Sequence, residues 1–185
     1  MNNVVLEVKK KMNKINNVNL DNFRKTIEEA KTNPQSAKKT THIEGEWKTE
    51  EGIQFRAEIK TSQGNYTIEA DEPDFLGGSG LAPSPIHYCV YGGMACYTAS
   101  FAKWAAMEGV QLNSLRIKAD AKMNLSKALG VSDNPVMEGM VWEVFAETAA
   151  GQEELDKVKK LADERCPALY CLKHMIDVTT TITRM

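Results

Sequence analysis

The chain has 185 residues, of which 42% are hydrophobic and 26% are charged, and this size and composition are ordinary for one globular domain with a sizeable core. The net charge of −2 gives no reason to expect a nucleic acid or an anionic membrane as a partner. The lysine-rich N-terminus has no apolar core followed by a small-residue cleavage site, so we expect no secretory signal.

Residues 1–35 are predicted to form an N-terminal appendage with one helix, and residues 36–185 a single domain. The first 17 residues lack a dependable periodicity and indicate either a strand or a loose tail. Asn19 is a suitable N-cap for the helix, and Asn33-Pro34 is a suitable stop. Four apolar residues between these signals share one helical face: Leu20, Phe23, Ile27 and Ala30.

Three strands joined as an antiparallel meander are predicted to follow the appendage. Three segments have the alternation of a half-buried strand: 43–47, 53–59 and 66–70. Glu51-Gly52 and residues 62–65 supply the turns between them. The loop that comes next is rich in Gly, Pro and Asp, but it matches neither glycine pattern typical of phosphate-binding loops.

One long helix is predicted over residues 84–109. Ser84 is a good N-cap, Pro85 suits the first helical position, and Gly109 suits the left-handed residue past the end. There is no formal charge from Pro85 to Ala102, so we expect other elements or another subunit to surround this helix. The polar side chains within the run make a membrane span a poor interpretation.

Cys96, in the middle of this helix, is the first candidate reactive residue. Gly92 and Gly93 precede it by one turn and cost roughly 1 kcal/mol each relative to alanine, so we expect another backbone to approach closely there. On spacing alone Cys96 is either an inert buried thiol or a reactive one, and the inert case is the commoner.

The rest of the chain is predicted to contain two paired strands, a helix and a closing strand. Residues 115–123 and 140–147 alternate between apolar and polar residues and form the strand pair. Residues 152–165 have an apolar helical face. The alternation over 176–182 predicts a last strand.

Cys166 is the second candidate reactive residue. Pro167 cannot continue the preceding helix but suits the first position of a new one, which leaves Cys166 at its N-cap. The positive end of that helix and the neighbouring Arg165 both favour the thiolate. Cys166 is therefore either a reactive thiol or a cysteine that merely fills a cap position.

Four cysteines without a secretory signal indicate a reducing compartment, so we predict a cytoplasmic location.

The remaining cysteines and histidines support other chemistry poorly. Cys89 is about 10.5 Å from Cys96 along the helix axis, too far for a disulfide, and Cys171 is expected in the core. Cys171-x-x-His174 and His87 with Cys89 offer pairs of ligands but no established zinc motif, so we predict no metal and no cofactor. A hydrolase reaction at Cys96 would need a base, and His87, roughly 13 Å away along the same helix, cannot serve. The other two histidines have no support in that role.

The stretch PSPIHYCVYGGMACYTASF, followed about seventy positions later by ERCPALYCLK, resembles the OsmC/Ohr family of osmotically inducible and organic hydroperoxide resistance proteins. The resemblance covers residues 42–183. It implies an α+β fold with antiparallel strands around a long buried central helix, and an intertwined homodimer. It also implies a thiol peroxidase in which Cys96 attacks a hydroperoxide and becomes a sulfenic acid. Cys166 would then form a disulfide with it, which a dithiol such as a lipoyl group reduces.

The sequence departs from the family pattern in two ways that matter for catalysis. Family members commonly have Asn-Pro-Glu at the start of the central helix, where this chain has Ser84, Pro85 and Ile86. They also hold the thiolate with an arginine, and Arg56, the only arginine between residues 42 and 84, does not match that position. Two functions follow. One is a two-cysteine peroxidase in which another group supplies the charge. The alternative is a binding or stress-associated homodimer with a degenerate peroxidase site.

Overall fold

The computed structural model describes residues 13–184, and these form an α+β structure. The helices are α1 Leu20–Thr32, α2 Pro85–Met107, α3 Gln152–Arg165 and α4 Pro167–Lys173. The strands are β1 Lys14–Ile15, β2 Val18–Asn19, β3 Glu44–Trp47, β4 Phe55–Thr61, β5 Gly64–Ala70, β6 Leu112–Met123 and β7 Met137–Thr148. Residues 1–12 of the predicted N-terminal appendage lie outside the described residues.

Two antiparallel sheets follow the predicted order. In the first, β4 is the middle strand, and Ala57 pairs with Gly45 of β3 and with Ile68 of β5. In the second, β6 and β7 have twelve residues each and pair with each other, with Ile117 opposite Val144. Both the meander and the later strand pair are therefore confirmed.

The core lies between α2, α3 and one face of the β6–β7 sheet. The buried side chains of α2 include Tyr97, Phe101 and Ala105, and those of α3 are Val158 and Ala162. The apolar face of the sheet packs against this cluster because alternate residues of a strand point to one side. The side chains that it contributes are Leu115, Ile117, Trp142, Val144 and Ala146.

Helix α2 has the boundaries that its sequence predicts. Its N-cap is Ser84, whose N–H donates to His87 Nδ1 at 3.2 Å, and Gly109 has a φ of 78° just past its end. One face is buried in the core, while Tyr91, Gly92 and Ala95 on another face are exposed. A single chain thus covers one side of this helix, which has no charge before Lys103.

The predicted last strand over 176–182 is wrong for this chain. Residues 175–184 form no helix or strand, and the side chain of Ile182 is 98% exposed. Alternation indicates a strand only where a sheet edge is available for pairing, and this segment pairs with neither sheet within the described residues. No helix in residues 13–184 is long and apolar enough to span a bilayer.

Candidate functional site

Two cysteines that are 70 positions apart in sequence lie side by side in the fold. The Sγ atoms of Cys96 and Cys166 are separated by 3.7 Å. Cys166 is 1% exposed, whereas Cys96 is partly accessible at the margin of the core. A disulfide bond is about 2.05 Å long, so a small movement of these two side chains would join them.

The break between α3 and α4 places Cys166. Its N–H donates to Ala162 O at 3.0 Å, which ends α3, and its Sγ accepts a hydrogen bond from Leu169 N–H at 3.4 Å, which begins α4. Pro167 occupies the first position of α4 because its missing N–H is not needed there. The predicted N-cap position of Cys166 is confirmed.

The surroundings of Cys96 favour its protonated form. Burial raises the pKa of the Cys96 thiol, and the neighbouring Cys166 raises it further. A hydrogen bond with the Ala168 backbone and the positive charge of Lys103 act in the opposite direction and lower this pKa. Lys103 follows Cys96 by two helical turns, which places it on the same side of α2. The positive charge of Lys103 favours the Cys96 thiolate.

Arg165 contacts an aromatic ring close to the thiol pair. Its guanidinium lies 4.0 Å from the ring centroid of Trp104, in a cation–π arrangement. The sequence predicted that this charge would favour a Cys166 thiolate. The Arg165 guanidinium contacts Trp104, and its effect on Cys166 stays a prediction. At the start of α4, the Leu169 N–H donates to the Cys166 sulfur.

A polar network that the sequence analysis missed lies beside the cysteines. The Tyr97 hydroxyl donates to Asp163 Oδ1 at 2.6 Å, and Lys159 Nζ donates to Asp163 Oδ2 at 2.6 Å. These residues line a cavity of about 780 Å³ between β7, α3 and α4, together with Leu169 and Lys173. The i, i+4 spacing of Lys159 and Asp163 was a usable signal for their ion pair. No pattern near Tyr97 in the sequence indicates that its hydroxyl bonds to Asp163.

The other cysteines lie apart from this pair. Cys89 is exposed on α2, and Cys171 is exposed on α4, so the prediction that Cys171 lies in the core is wrong. The reason is that α4 has only seven residues and buries a different face against α2. His87 is engaged in the cap of α2 through Ser84. In residues 13–184 no group of three or more His, Cys, Asp or Glu side chains could hold a metal ion.

The two helix glycines have different surroundings, and neither meets another backbone. A Cβ on Gly93 would lie 3.0 Å from Cζ2 and 3.2 Å from Cη2 of Trp142, so a side chain makes the close approach here. A Cβ on Gly92 would meet nothing within 4 Å. The expectation of a close backbone contact is therefore wrong within this chain. The close neighbour of Gly93 is the indole ring of Trp142.

The two departures from the family pattern remain in the fold. Ile86 lies in the first turn of α2 and has no ionisable group. Arg56 pairs with Glu69 on the neighbouring strand, where its Nε donates to Glu69 Oε1 at 2.9 Å. The Arg56 charge is thus neutralised by a strand neighbour.

The sequence matches a family model described as OsmC-like protein over residues 77–181, which include both Cys96 and Cys166. The chain belongs to this family. The expected OsmC/Ohr-like fold is confirmed, since solved structures of OsmC-like proteins superpose on this chain. No curated protein matches its sequence.

Three of these solved structures show how far the similarity extends. An OsmC-like protein from Mycoplasma pneumoniae has 16% identity and a TM-score of 0.53, covering 73% of this chain and 88% of its own. An organic hydroperoxide resistance protein OsmC from Legionella pneumophila has 18% identity and a TM-score of 0.53, with 74% and 91% covered. An OsmC-like protein of unknown function from Vibrio cholerae has 16% identity and a TM-score of 0.55, with 71% and 92% covered. At such identities the likeness establishes the fold alone.

Proposed function

We propose that this OsmC-like protein is a thiol peroxidase that reduces organic hydroperoxides through Cys96 and Cys166. The observation that carries the proposal is the 3.7 Å separation of two sulfurs with unequal exposure. The accessible Cys96 suits attack on a small molecule, while the buried Cys166 suits capture of the oxidised product. The name of the Legionella pneumophila structure, an organic hydroperoxide resistance protein, supports the same substrate class.

The proposed reaction has three balanced steps. The Cys96 thiolate attacks the outer oxygen of ROOH, the O–O bond breaks, and RO⁻ leaves and takes up a proton to give ROH. Cys96 is then a sulfenic acid, and the Cys166 sulfur displaces its hydroxyl, which leaves as water when a disulfide forms. A dithiol of the lipoyl type reduces this disulfide to two thiols and becomes a cyclic disulfide itself. The sum is ROOH plus dithiol giving ROH, water and oxidised dithiol, and we place this cycle in the cytoplasm.

The charges around Cys96 bear on the choice between the two candidate functions. A thiolate is the nucleophile, and burial raises the pKa of Cys96, so its thiolate fraction at neutral pH is small. Lys103 is the group that we assign to the role of the missing arginine, because its positive charge lowers the same pKa. Two features favour the second candidate, a binding or stress-associated homodimer without efficient peroxidase chemistry. Ile86 stands where the family has a glutamate, and Arg56 is paired with Glu69.

A homodimer belongs to the proposal because one chain leaves an apolar face of α2 uncovered. Tyr91 is 68% exposed, and Gly92, Ala95 and Ala99 are also exposed, on a helix with no charge before Lys103. A contiguous apolar surface of this kind is unusual on a monomer. Cys96 lies at its edge, so a second copy would also form a wall of the thiol site.

The C-terminal tail gives a second argument for a homodimer. Ile176, Val178 and Ile182 alternate along it and are exposed. In the part of the chain that the structure describes, β6 and β7 pair only with each other, so each has an open edge. The alternating tail of one copy could pair with the open edge of β6 or β7 in the other copy, which is strand addition between subunits.

Hydroperoxide consumption with a lipoyl dithiol tests the peroxidase. Wild type should consume cumene hydroperoxide, and Cys96→Ser should fall to the uncatalysed rate. Cys171→Ser, which removes an exposed thiol outside the pair, is the matched control and should keep the wild-type rate. Equal rates for wild type and Cys96→Ser would overturn the peroxidase proposal and leave the second candidate.

Sedimentation velocity tests the homodimer. Ala95→Glu places a charge on the exposed face of α2 and should convert dimers to monomers. Ala95→Ser keeps a small side chain at the same position and should remain dimeric. A wild-type protein that sediments as a monomer would contradict the proposal.

A further inference from the structure

The N-terminal element, which we define as residues 13–32, is firmly anchored to the rest of the fold. Asn16 Nδ2 donates to Val110 O at 2.9 Å, and Leu112 N–H donates to Asn16 Oδ1 at 2.8 Å. Asn16 thereby holds both sides of the segment that links α2 to β6. Leu20, at the start of α1, is 1% exposed. The element precedes residues 77–181, which match the family, so it is an addition to the matched region.

Phe23 of this element contacts two consecutive residues of α2. Its ring meets Trp104 edge to face, with centroids 5.6 Å apart and planes at 70°. Lys103 Nζ lies 5.7 Å from the centroid of the same ring. An edge-to-face aromatic pair is stabilised beyond its burial, and a cation over a ring is attracted by the ring quadrupole. Both contacts favour one rotamer of the side chain that Phe23 touches.

Both contacted residues lead to the thiol pair. The guanidinium of Arg165 lies 4.0 Å from the ring centroid of Trp104, and Arg165 directly precedes Cys166 in the chain. Lys103 lies two turns after Cys96, which places both residues on the same side of α2. The positive charge of Lys103 lowers the pKa of Cys96, in agreement with this placement.

We propose that the N-terminal element positions the thiol pair: Phe23 holds Lys103 toward Cys96 and, through Trp104 and Arg165, fixes the backbone of Cys166. Phe23, Lys103, Trp104 and Arg165 are positioning residues, since none of them reacts. The inference rests on the proposed peroxidase function for its biological use. The effect of α1 on the reactivity of the Cys96 thiol can be measured without any peroxide.

The groups that influence Cys96 come from two elements. Its own helix supplies Lys103, and the α3–α4 junction supplies the Cys166 thiol and the Ala168 backbone. Behind Cys166, Tyr97 is hydrogen-bonded to Asp163. Of these groups, Phe23 contacts Lys103. A substitution at Phe23 should therefore act on Cys96 through Lys103.

Alkylation of Cys96 by iodoacetamide, followed site by site by mass spectrometry between pH 6 and 10, tests the proposal. The background is the Cys89→Ser, Cys171→Ser protein, which keeps only the thiol pair. Phe23→Leu retains an apolar side chain but removes the ring, and loss of a cation–π contact should slow Cys96 alkylation at neutral pH about two- to fivefold. Phe23→Tyr retains the ring and should keep the starting rate. Phe75→Leu, at a side chain that is 71% exposed in a distant loop, is the matched control and should also keep it.

Lys103→Gln supplies an independent variant, because it leaves both rings in place and does not depend on the folding of Phe23→Leu. It should slow alkylation by the same factor, and adding Phe23→Leu to it should produce little further change. An unchanged alkylation profile in Lys103→Gln, additive effects in the double variant, or equal losses in Phe23→Leu and Phe23→Tyr would each overturn the proposal. Because alkylation consumes no hydroperoxide, failure of the peroxidase assay leaves this result intact, and the reverse also holds.

Discussion

The hydroxyl group of Tyr97 donates to Asp163 Oδ1 at 2.6 Å, and this bond ties the residue that follows Cys96 to the helix that ends one residue before Cys166. Tyr97 is 4% exposed, so its hydroxyl has little access to water as an alternative partner. The hydrogen bond therefore stabilises the packing of α2 against α3.

Tyr97→Phe should lower the free energy of unfolding by about 1.5–3 kcal/mol, the usual range for a hydrogen bond to a charged group. Urea denaturation measures the change. Tyr66→Phe removes a hydroxyl from a side chain that is half exposed on β5 and should stay within about 0.5 kcal/mol of wild type. Equal stability of the two variants would contradict a stabilising role for the Tyr97–Asp163 bond.

Asp163 should make stability depend on pH below its ordinary pKa of 3.8. Burial opposes its ionisation, but the hydrogen bonds from Lys159 and Tyr97 outweigh burial and lower the pKa of Asp163. A folded-state pKa below the unfolded one stabilises the fold above the unfolded value, and this stabilisation is lost as the pH falls through the folded value. Urea unfolding between pH 7 and pH 2.5 should therefore show a smaller acid loss for Asp163→Asn than for wild type. Parallel curves would show that Asp163 is not the responsible group.

Gly93→Ala and Gly92→Ala form a matched pair on one helix. Alanine is favoured over glycine in a helix by about 1 kcal/mol, so Gly92→Ala, with nothing within 4 Å, should stabilise the fold by up to that amount. At Gly93 the new methyl group meets the Trp142 ring, which is itself packed on Tyr97 with centroids 5.4 Å apart. Overpacking of this kind costs about 1–3 kcal/mol, so Gly93→Ala should be less stable than Gly92→Ala in thermal denaturation. Identical melting temperatures would mean that Trp142 moves aside without cost.

Mild oxidation with a hydroperoxide should give a single intramolecular disulfide between Cys96 and Cys166. Peptide mapping under non-reducing conditions detects it, and Cys89 and Cys171 should remain alkylatable because they lie outside the pair. Cys166→Ser should instead accumulate a sulfenic acid at Cys96 that dimedone traps. Disulfides that involve Cys89 or Cys171 in the wild-type protein would argue against the assignment of the pair.

The periodic elements could be predicted because their patterns are local. Alternation identified β4, β6 and β7, and Ser84, Pro85 and Gly109 set the limits of α2. The Cys-Pro step likewise fixed the start of α4, since the geometry of proline permits few alternatives.

The errors arose where the decisive contact is distant in sequence. The interpretation of residues 176–182 as a strand required a pairing partner that the chain itself does not provide. Burial of Cys171 depended on which face of a seven-residue helix meets α2. The stacking of Arg165 on Trp104 joins residues about sixty positions apart, and nothing around either residue indicates it. Contacts of this kind follow from tertiary packing.

The unequal accessibility of the two sulfurs also sets the direction of the reductive half of the proposed cycle. With Cys166 only 1% exposed, the thiolate of an incoming dithiol can reach only the Cys96 side of the bond. The mixed disulfide must then form on Cys96, and Cys166 is the leaving group, released beside the Leu169 N–H that already contacts it. In the proposed cycle, the surface around α2 is therefore the part of the protein that a reductant must fit.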